Sequence, residues 1–500
     1  LRLPFYFSAQ GRIPRPVSIR PKLIMMRLPR LPILLPPRGA VLGALCALYL
    51  LPGLIGHDPW KGDDATHFGV AYSMLDGGHW LIPRLAGEPW LDSPPLFHWI
   101  AAVLAKVIGL VLPLHDAARL ATGLFAGIMI ACLWAAARRF IGQEAARGAV
   151  LVALGCLGLL VHAHEVQPAI VHLAATAALY WGLALLPEQP RRGGALAGAA
   201  LGLGFLAVGL PVLITLGPLL LLLPLISSRL RTSQGAHGML VALAVAAPLI
   251  LIWPLTLYLK DPAAFATWWT RELAGLKPGS NVPLKLWNFL QLLSWFAWPA
   301  LPLAAWTLWK ERRRLLEPRT LIPLTSFVVL LAVQSVFSEP RSLNALPLLP
   351  PLILLAAPAT LSLRRGAANA FDWFGMMTFT LLAGLIWLGW AAMVFGIPPQ
   401  IAKNMVRQVP GFVAQFMPTT FAVSLALTFA WLWLIFTSPR SPQRGTMHWA
   451  AGVTLCLIIR RIEPVGVWCF TFFIFHLSSG LALFYLLKFL QEKAFPTWDK

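Results

Sequence analysis

The sequence predicts an all-α polytopic membrane protein, with about thirteen transmembrane helices and short interfacial helices in a long first outer loop. Three observations carry this reading. Of 500 residues, 58% are hydrophobic and only 12% charged, too few polar groups to cover a soluble globule of this length. The apolar residues gather in runs near the roughly 20 residues that cross about 30 Å of hydrocarbon. The net charge of +21 sits in short basic clusters between those runs. That is the pattern of the positive-inside rule and not of a nucleic-acid-binding stripe. Membrane lipids are therefore expected partners, and nucleic acid is not.

In chain order the runs fall near 40–56, 117–137, 148–161, 168–186, 194–208, 210–225, 238–258, 286–309, 319–337, 344–361, 372–395, 418–437 and 447–459. Residues 95–112 are also apolar. Counting them as a crossing would carry Arg138-Arg139 and Arg147 to the outside and spoil the alternation beyond. They are left as an interfacial helix. The basic amino terminus, Arg138-Arg139, Arg191-Arg192, Arg229/Arg231, Lys310 to Arg314, Arg364-Arg365 and Arg440/Arg444 then share the cytoplasmic side. Loops 57–116, 162–167, 259–285, 338–343 and 396–417 face outward, to a periplasm-like space. Three regions follow: a basic cytoplasmic amino terminus, 1–39; a transmembrane domain, 40–455, with its first outer loop at 57–116; and an atypical hydrophobic tail, 456–500. Residues 1–24 precede the first methionine, Met25, and read as misassigned upstream sequence. Cys46, Cys132, Cys156, Cys456 and Cys469 have neither pairing nor metal spacing and read as packing residues.

The first outer loop, at roughly 60 residues, is far longer than a passive connection. It opens on "HDPWKGDDATHFGVAYSML" (57–75). Phe68, Ala71, Tyr72 and Leu75 recur at helical spacing, with Asp63, Thr66 and His67 on another face. An amphipathic helix over 63–78 is expected, stopped at Gly77-Gly78. After Pro94-Pro95 a second interfacial helix is expected over 96–110. Asp63 and Asp64 open the first helix, and either could cap it. A doublet cannot place both carboxylates on the cap, and the spare one, beside His67, could serve as general base to an acceptor hydroxyl or amine.

The second outer loop, within "VHAHEVQPAI" (161–170), carries His162, His164 and Glu165. That spacing could bind a divalent metal, although solvated loop side chains show it more often. No cofactor is firmly implied. Arg341, in "FSEPRSLNALPLLPP", stands at the outer end of a run, where a guanidinium could hold a phosphate or snorkel to headgroups. Lys61, Arg84, Lys260 and Arg271 complete a short list of outward cations.

These residues, in this order, resemble the GT-C class of integral-membrane glycosyltransferases. The likeness is to the lipid A 4-amino-4-deoxy-L-arabinose transferases and the protein mannosyltransferases. It runs from Asp63 to Trp99 in "DDATHFGVAYSMLDGGHWLIPRLAGEPWLDSPPLFHW" and returns in "GLGFLAVGLP" (202–211), "LLSWFAWPALPLAAW" (292–306) and "RSLNALPLLPPL" (341–352). The resemblance covers about 40–455. It implies a donor sugar carried on undecaprenyl phosphate, Asp63 as the outward base, Asp64 at the family's following Glu, and Arg84 as a retained arginine. Thr66 stands where the family has Arg, and Ser93 where it has the phosphate-binding Lys. Ala169, Val208 and Asn344 replace an Asp, a Lys and a Tyr. The base survives while much of the cradle for the donor phosphate does not, so Lys61, Arg84 and Arg341, with His67 and Ser93 beside them, are the donor-binding candidates.

Beyond about Leu455 the likeness ends, and either a shifted reading frame or a lineage-specific tail would produce the aromatic-rich stretch that follows. The expected activity is transfer of a sugar from the lipid carrier to a lipid or protein acceptor of the cell envelope, at the periplasmic face of a bacterial inner membrane. A disabled relative acting as a binding or scaffold protein is one rival, and a lipid-linked sugar transporter another. The near absence of charge from the span centres argues against the transporter.

Overall fold

The computed structural model describes residues 38–56, 58–59, 62–408, 416, 418–438 and 441–462. Two compact units divide the chain, residues 1–41 and Leu42–Lys500. Of the first, only 38–41 are described, as the opening of α1 (Arg38–Leu54). Lys61, most of the amino-terminal region and residues 463–500 of the tail lie outside the described residues.

The described chain is almost entirely helical. After α1 come α2 (Gly62–Gly77), a two-residue antiparallel hairpin pairing Arg84 with Pro89 and Leu85 with Glu88, and α3 (Leu96–Ile108). Both helices expected in the first loop are present. At 13 residues, α3 is about 20 Å long, too short to cross 30 Å of hydrocarbon. The buried face of α2 is Asp64, Val70, Ala71 and Met74, while Tyr72 is exposed. Of the expected stripe Phe68, Ala71, Tyr72 and Leu75, Ala71 is buried, Phe68 and Leu75 pack partly buried against the core and Tyr72 alone is exposed, while Asp64 turns inward where α2 packs on α3 and α4.

α4 (Leu114–Phe140), α7 (Ala169–Leu185), α8 (Pro190–Val208) and α10 (Ser233–Lys260) pack side by side in that order. Small residues let α8 and α10 touch backbone to backbone. A Cβ at Gly194 or Gly198 would collide with the carbonyls of Gly238 and Ala242. Between α4 and α7 lie α5 (Gln143–Gly155) and α6 (Leu157–His162), so the run at 148–161 is broken at Cys156. α9 (Leu210–Ile226) follows α8 across Gly209, whose φ of +90° separates the two. α11 (Pro262–Gly275) lies within residues 259–285, read from the sequence as a loop, where no element was expected.

α12 (Val282–Phe296) and α13 (Ala300–Lys310) meet at 103°, so the run at 286–309 is sharply bent. α14 (Pro318–Phe337) is continuous. Residues Ser342–Ser362 form a broken span of α15 (Ser342–Ala345), a 3₁₀ turn, α16 (Leu349–Ala356) and α17 (Ala359–Ser362), most of it buried in the bundle. α18 (Arg365–Phe395), α19 (Pro399–Gln408), α20 (Pro418–Thr437) and α21 (Arg444–Ile462) complete the described chain. α21 passes through position 455 without interruption.

Among the described residues five helices are long and apolar enough to cross a membrane, or six if α12 and α13 count together. The expected thirteen apolar runs are recovered mostly as helices. Several, including α7 and α9 at 17 residues, are shorter than a full crossing, and others are broken.

Candidate functional site

The first turn of α2 presents Asp63 and Asp64 on different faces, because successive helical residues are rotated by about 100°. Asp63 is exposed. Asp64 is fully buried, as are Asp116 and Arg119 in the first turns of α4. Arg119 bridges the two acids, with Nη2 3.3 Å from Asp64 Oδ2 and Nη1 2.8 Å from Asp116 Oδ1. The backbone amide of Val166, in the second outer loop, donates to Asp64 Oδ1 at 2.7 Å. The amide of Gly56 donates to Asp116 Oδ2 at 2.5 Å. One guanidinium thus ties together the end of α1, the start of α2, the start of α4 and, through Asp64, the second loop. A carboxylate with these partners is not the cap of its own helix, which was the role open to Asp64 in the sequence.

Asp116 and Arg119 were missed in the sequence. Their signal was a charged pair at i,i+3 in the first turns of an otherwise apolar span, and ionisable groups there are rarely idle.

Beside Asp63 the structure places His67, whose Nδ1 is 3.1 Å from Nε2 of His98 on α3. Burial pushes His67 down to about 4, against the raising influence of Asp63, Asp92 and a hydrogen bond with Gln167. Burial also pushes His98 well below the usual imidazole range, and neighbouring His67 adds to this. Both rings are therefore neutral near pH 7, and one donates its N–H to the other. Trp90 meets His67 edge-on at 5.9 Å. The indole N–H of Trp90, the Ser93 hydroxyl and Nδ1 of His98 are enclosed and have no hydrogen-bond partner.

The remaining candidates are dispersed. Arg84 is exposed on the hairpin, and its guanidinium turns back to the Gly87 carbonyl at 3.1 Å. Arg341 is exposed at the start of α15. Lys61 lies outside the described residues. His162, His164 and Glu165 are buried, with His162 Nδ1 3.4 Å from Glu165 Oε2. The ring nitrogens of His164 face the carbonyls of Leu160 and Tyr49 at 2.7 and 2.9 Å. The histidines of this loop are thus not turned towards a common metal position. Among the described residues no group of three His, Cys, Asp or Glu side chains could hold a metal ion.

α10 and α11 dock onto the first loop. Arg271 of α11 pairs with Asp92 at 2.7 Å, and Trp253 donates to the Leu81 carbonyl at 3.0 Å. Glu272, also missed in the sequence, accepts from the Leu210 amide at the start of α9 and from the Trp268 indole. Burial pushes its carboxyl up to about 7. A Cβ on Gly209 would overlap that carboxyl, so glycine is required there twice, for its φ and for this approach.

Residues 92–253 match the dolichyl-phosphate-mannose-protein mannosyltransferase family. An undecaprenyl phosphate-alpha-4-amino-4-deoxy-L-arabinose arabinosyl transferase 1 of Pseudomonas fluorescens is 25% identical over 337 residues, covering 64% of this chain and 57% of that protein. The corresponding transferase of Serratia proteamaculans is 25% identical over 437 residues, covering 84% of this chain and 75% of its own. The chain thus spans little more than half the length of the Pseudomonas relative. Among solved structures, ArnT from Cupriavidus metallidurans bound to undecaprenyl phosphate superposes with a TM-score of 0.62 at 19% identity. It covers 86% of this chain and 77% of that one. Its apo state gives 0.59 over 85% of this chain and 77% of its own, at 18% identity. The chain therefore shares the fold of ArnT, and in sequence it is similar to the aminoarabinose transferases and, over residues 92–253, to the protein mannosyltransferases.

Proposed function

We propose that the chain transfers a sugar from a polyprenyl-phosphate carrier, undecaprenyl phosphate in a bacterium, to a cell-envelope acceptor such as lipid A. The observation that carries the proposal is the division of labour in the doublet. Asp64 is spent on Arg119 and Val166, which leaves Asp63 exposed on a helix held rigidly at the end of the bundle. The likeness to proteins named for the same carrier supports the choice of donor.

In this reading Asp63 takes the proton of an acceptor hydroxyl or amine, and the freed oxygen or nitrogen attacks the anomeric carbon. The bond from that carbon to the phosphate oxygen breaks, and polyprenyl phosphate leaves with the electron pair. A phosphate is already a good leaving group, so the protein supplies a base, positioning and positive charge. Arg84, Arg341 and Lys61 are the cations assigned to the phosphate. The neutral His67–His98 pair and the enclosed indole and hydroxyl of Trp90 and Ser93 would meet sugar hydroxyls. The test is transfer of labelled sugar from purified undecaprenyl-phosphate donor to extracted envelope acceptors. Absence of transfer with every lipid-linked donor tried would defeat the reading.

One observation favours a binding protein with a disabled site. Ser93 supplies an unpartnered hydroxyl where the resembling enzymes have a phosphate-binding lysine. If the catalytic reading holds, Ser93→Lys should lower the apparent donor KM. One added charge-assisted hydrogen bond contributes on the order of 1.5–3 kcal/mol. An unchanged or higher KM takes position 93 out of the phosphate site and leaves the phosphate to Lys61, Arg84 and Arg341 alone.

The proposed site faces the periplasm of the inner membrane, and the thirteen apolar runs make up the crossings, short and bent ones included. Gly87 adopts φ +89°, so any side chain there is strained, and the exposed neighbour Glu88 is the better probe. Glu88→Cys should react with a membrane-impermeant thiol reagent in cells whose outer membrane alone is permeabilised. Labelling that appears only after the inner membrane is lysed reverses the orientation.

A further inference from the structure

We propose that the end of the bundle remote from Asp63 carries a binding site for the phosphate headgroup of an anionic phospholipid. A recess of about 710 Å³ opens there between α4, α7 and α8, lined by Trp134, Arg138, Arg139, Trp181, Gln189 and Arg192 among others. A second recess of about 460 Å³ continues past Gln189 and Arg192 to Arg191 and His237. Arg119 and Arg138 lie on the same helix, 19 residues apart, which is about 28 Å at 1.5 Å per residue. That separation is close to the thickness of the hydrocarbon layer. The recess therefore sits at the opposite membrane surface from the candidate site.

Three features select a phosphate. The first is charge. Arg139 is neutralised by Glu188 at 2.7 Å, whereas Arg138 and Arg192 make no ion pair among the described residues. Arg138 lies over the Trp134 ring at 5.3 Å, a contact that holds its guanidinium flat against the wall. Two uncompensated guanidiniums beside one recess suit a group that accepts bidentate hydrogen bonds.

The second feature is the start of α8. Pro190 occupies its first turn and Gln189 provides no side-chain cap, so the amides of that turn lack a side-chain acceptor. Both recesses border this turn. An anion there would meet unsatisfied donors and the positive end of the helix dipole. The third is the apolar part of the wall. Trp134 and Trp181 are half-buried, and Leu185 and Leu196 line the same recess. Indoles at the level of the headgroups beside apolar side chains accommodate the glycerol and upper acyl chain of a lipid. A free phosphate would leave that surface unused.

The test is native mass spectrometry of the full chain in detergent, titrated with phosphatidylglycerol or with phosphatidylcholine. The expected result is one phosphatidylglycerol retained in clear preference to phosphatidylcholine. Arg138→Gln combined with Arg192→Gln should weaken that binding by about tenfold or more, since both unpaired guanidiniums beside the recess are lost. Arg312→Gln with Arg313→Gln, which removes two exposed arginines from another basic cluster, should leave it intact.

Equal loss in the two double variants would overturn the site in favour of diffuse attraction. So would equal retention of the two lipids. Displacement of the lipid by an equal concentration of inorganic phosphate would overturn the lipid as the ligand. If the glutamine pair does not fold, Arg138→Lys with Arg192→Lys replaces it, keeping charge without the planar fork. Weaker binding in that pair supports the site, and unchanged binding defeats it.

Discussion

Arg119→Met should lower the stability of the full chain by about 3–5 kcal/mol, the cost of leaving buried charge without its partner. Arg119, Asp64 and Asp116 have no exposed side-chain surface, so neither acid gains solvent when the guanidinium goes. The ends of α1, α2 and α4 would lose their common tie, and the Val166 amide of the second loop would face a now uncompensated Asp64. Arg119→Lys should fall between wild type and methionine, because an ammonium cannot span two carboxylates as a fork does. The measurement is denaturant or thermal unfolding of detergent-solubilised protein. In the double variant Arg119→Met/Asp64→Asn the losses should be less than additive, since both members of one pair are removed. Wild-type stability in Arg119→Met would show that the network carries no net weight.

Asp63→Asn should leave the fold intact and slow sugar transfer by roughly 10²–10⁴-fold, the usual contribution of a positioned general base. The side chain is exposed and of nearly unchanged size, so folding gives no reason for the loss. Asp64→Asn should behave in the opposite way. It disturbs the Arg119 pair and lowers the amount of folded protein, with a much smaller loss of rate per folded molecule. The assay is transfer of labelled sugar at matched protein levels, with unfolding followed in parallel. Equal transfer by wild type and Asp63→Asn would remove Asp63 from the chemistry. A collapse of rate in stable Asp64→Asn would exchange the two roles.

The helices of the first loop were legible in the sequence because their signals are local. Residues 63–78 carry helical spacing and end at two glycines, and 96–110 follow two prolines; α2 and α3 appear within a residue or two of those limits. Less legible were the crossings themselves. Hydropathy marks an apolar run without saying whether it is straight, and the runs at 148–161, 286–309 and 344–361 are broken or bent where packing against the bundle takes over. α11 was overlooked because its tryptophans and charges lack the long apolar run of a span. Its purpose appears only in the contacts of Arg271 and Glu272 with Asp92 and Leu210.

By itself the sequence determined the membrane class and a pair of carboxylates opening a helix in the first long loop. Composition and short-range periodicity suffice for these, because transfer from water to lipid acts on each segment separately. Only the tertiary structure decided which carboxylate is buried. Asp63 and Asp64 are neighbours with the same chemistry, and their difference comes from Arg119, 55 positions beyond Asp64, and from the amide of Val166, 102 positions beyond it. Such a choice depends on which helices meet in space, and a pattern that repeats every few residues carries no record of that meeting.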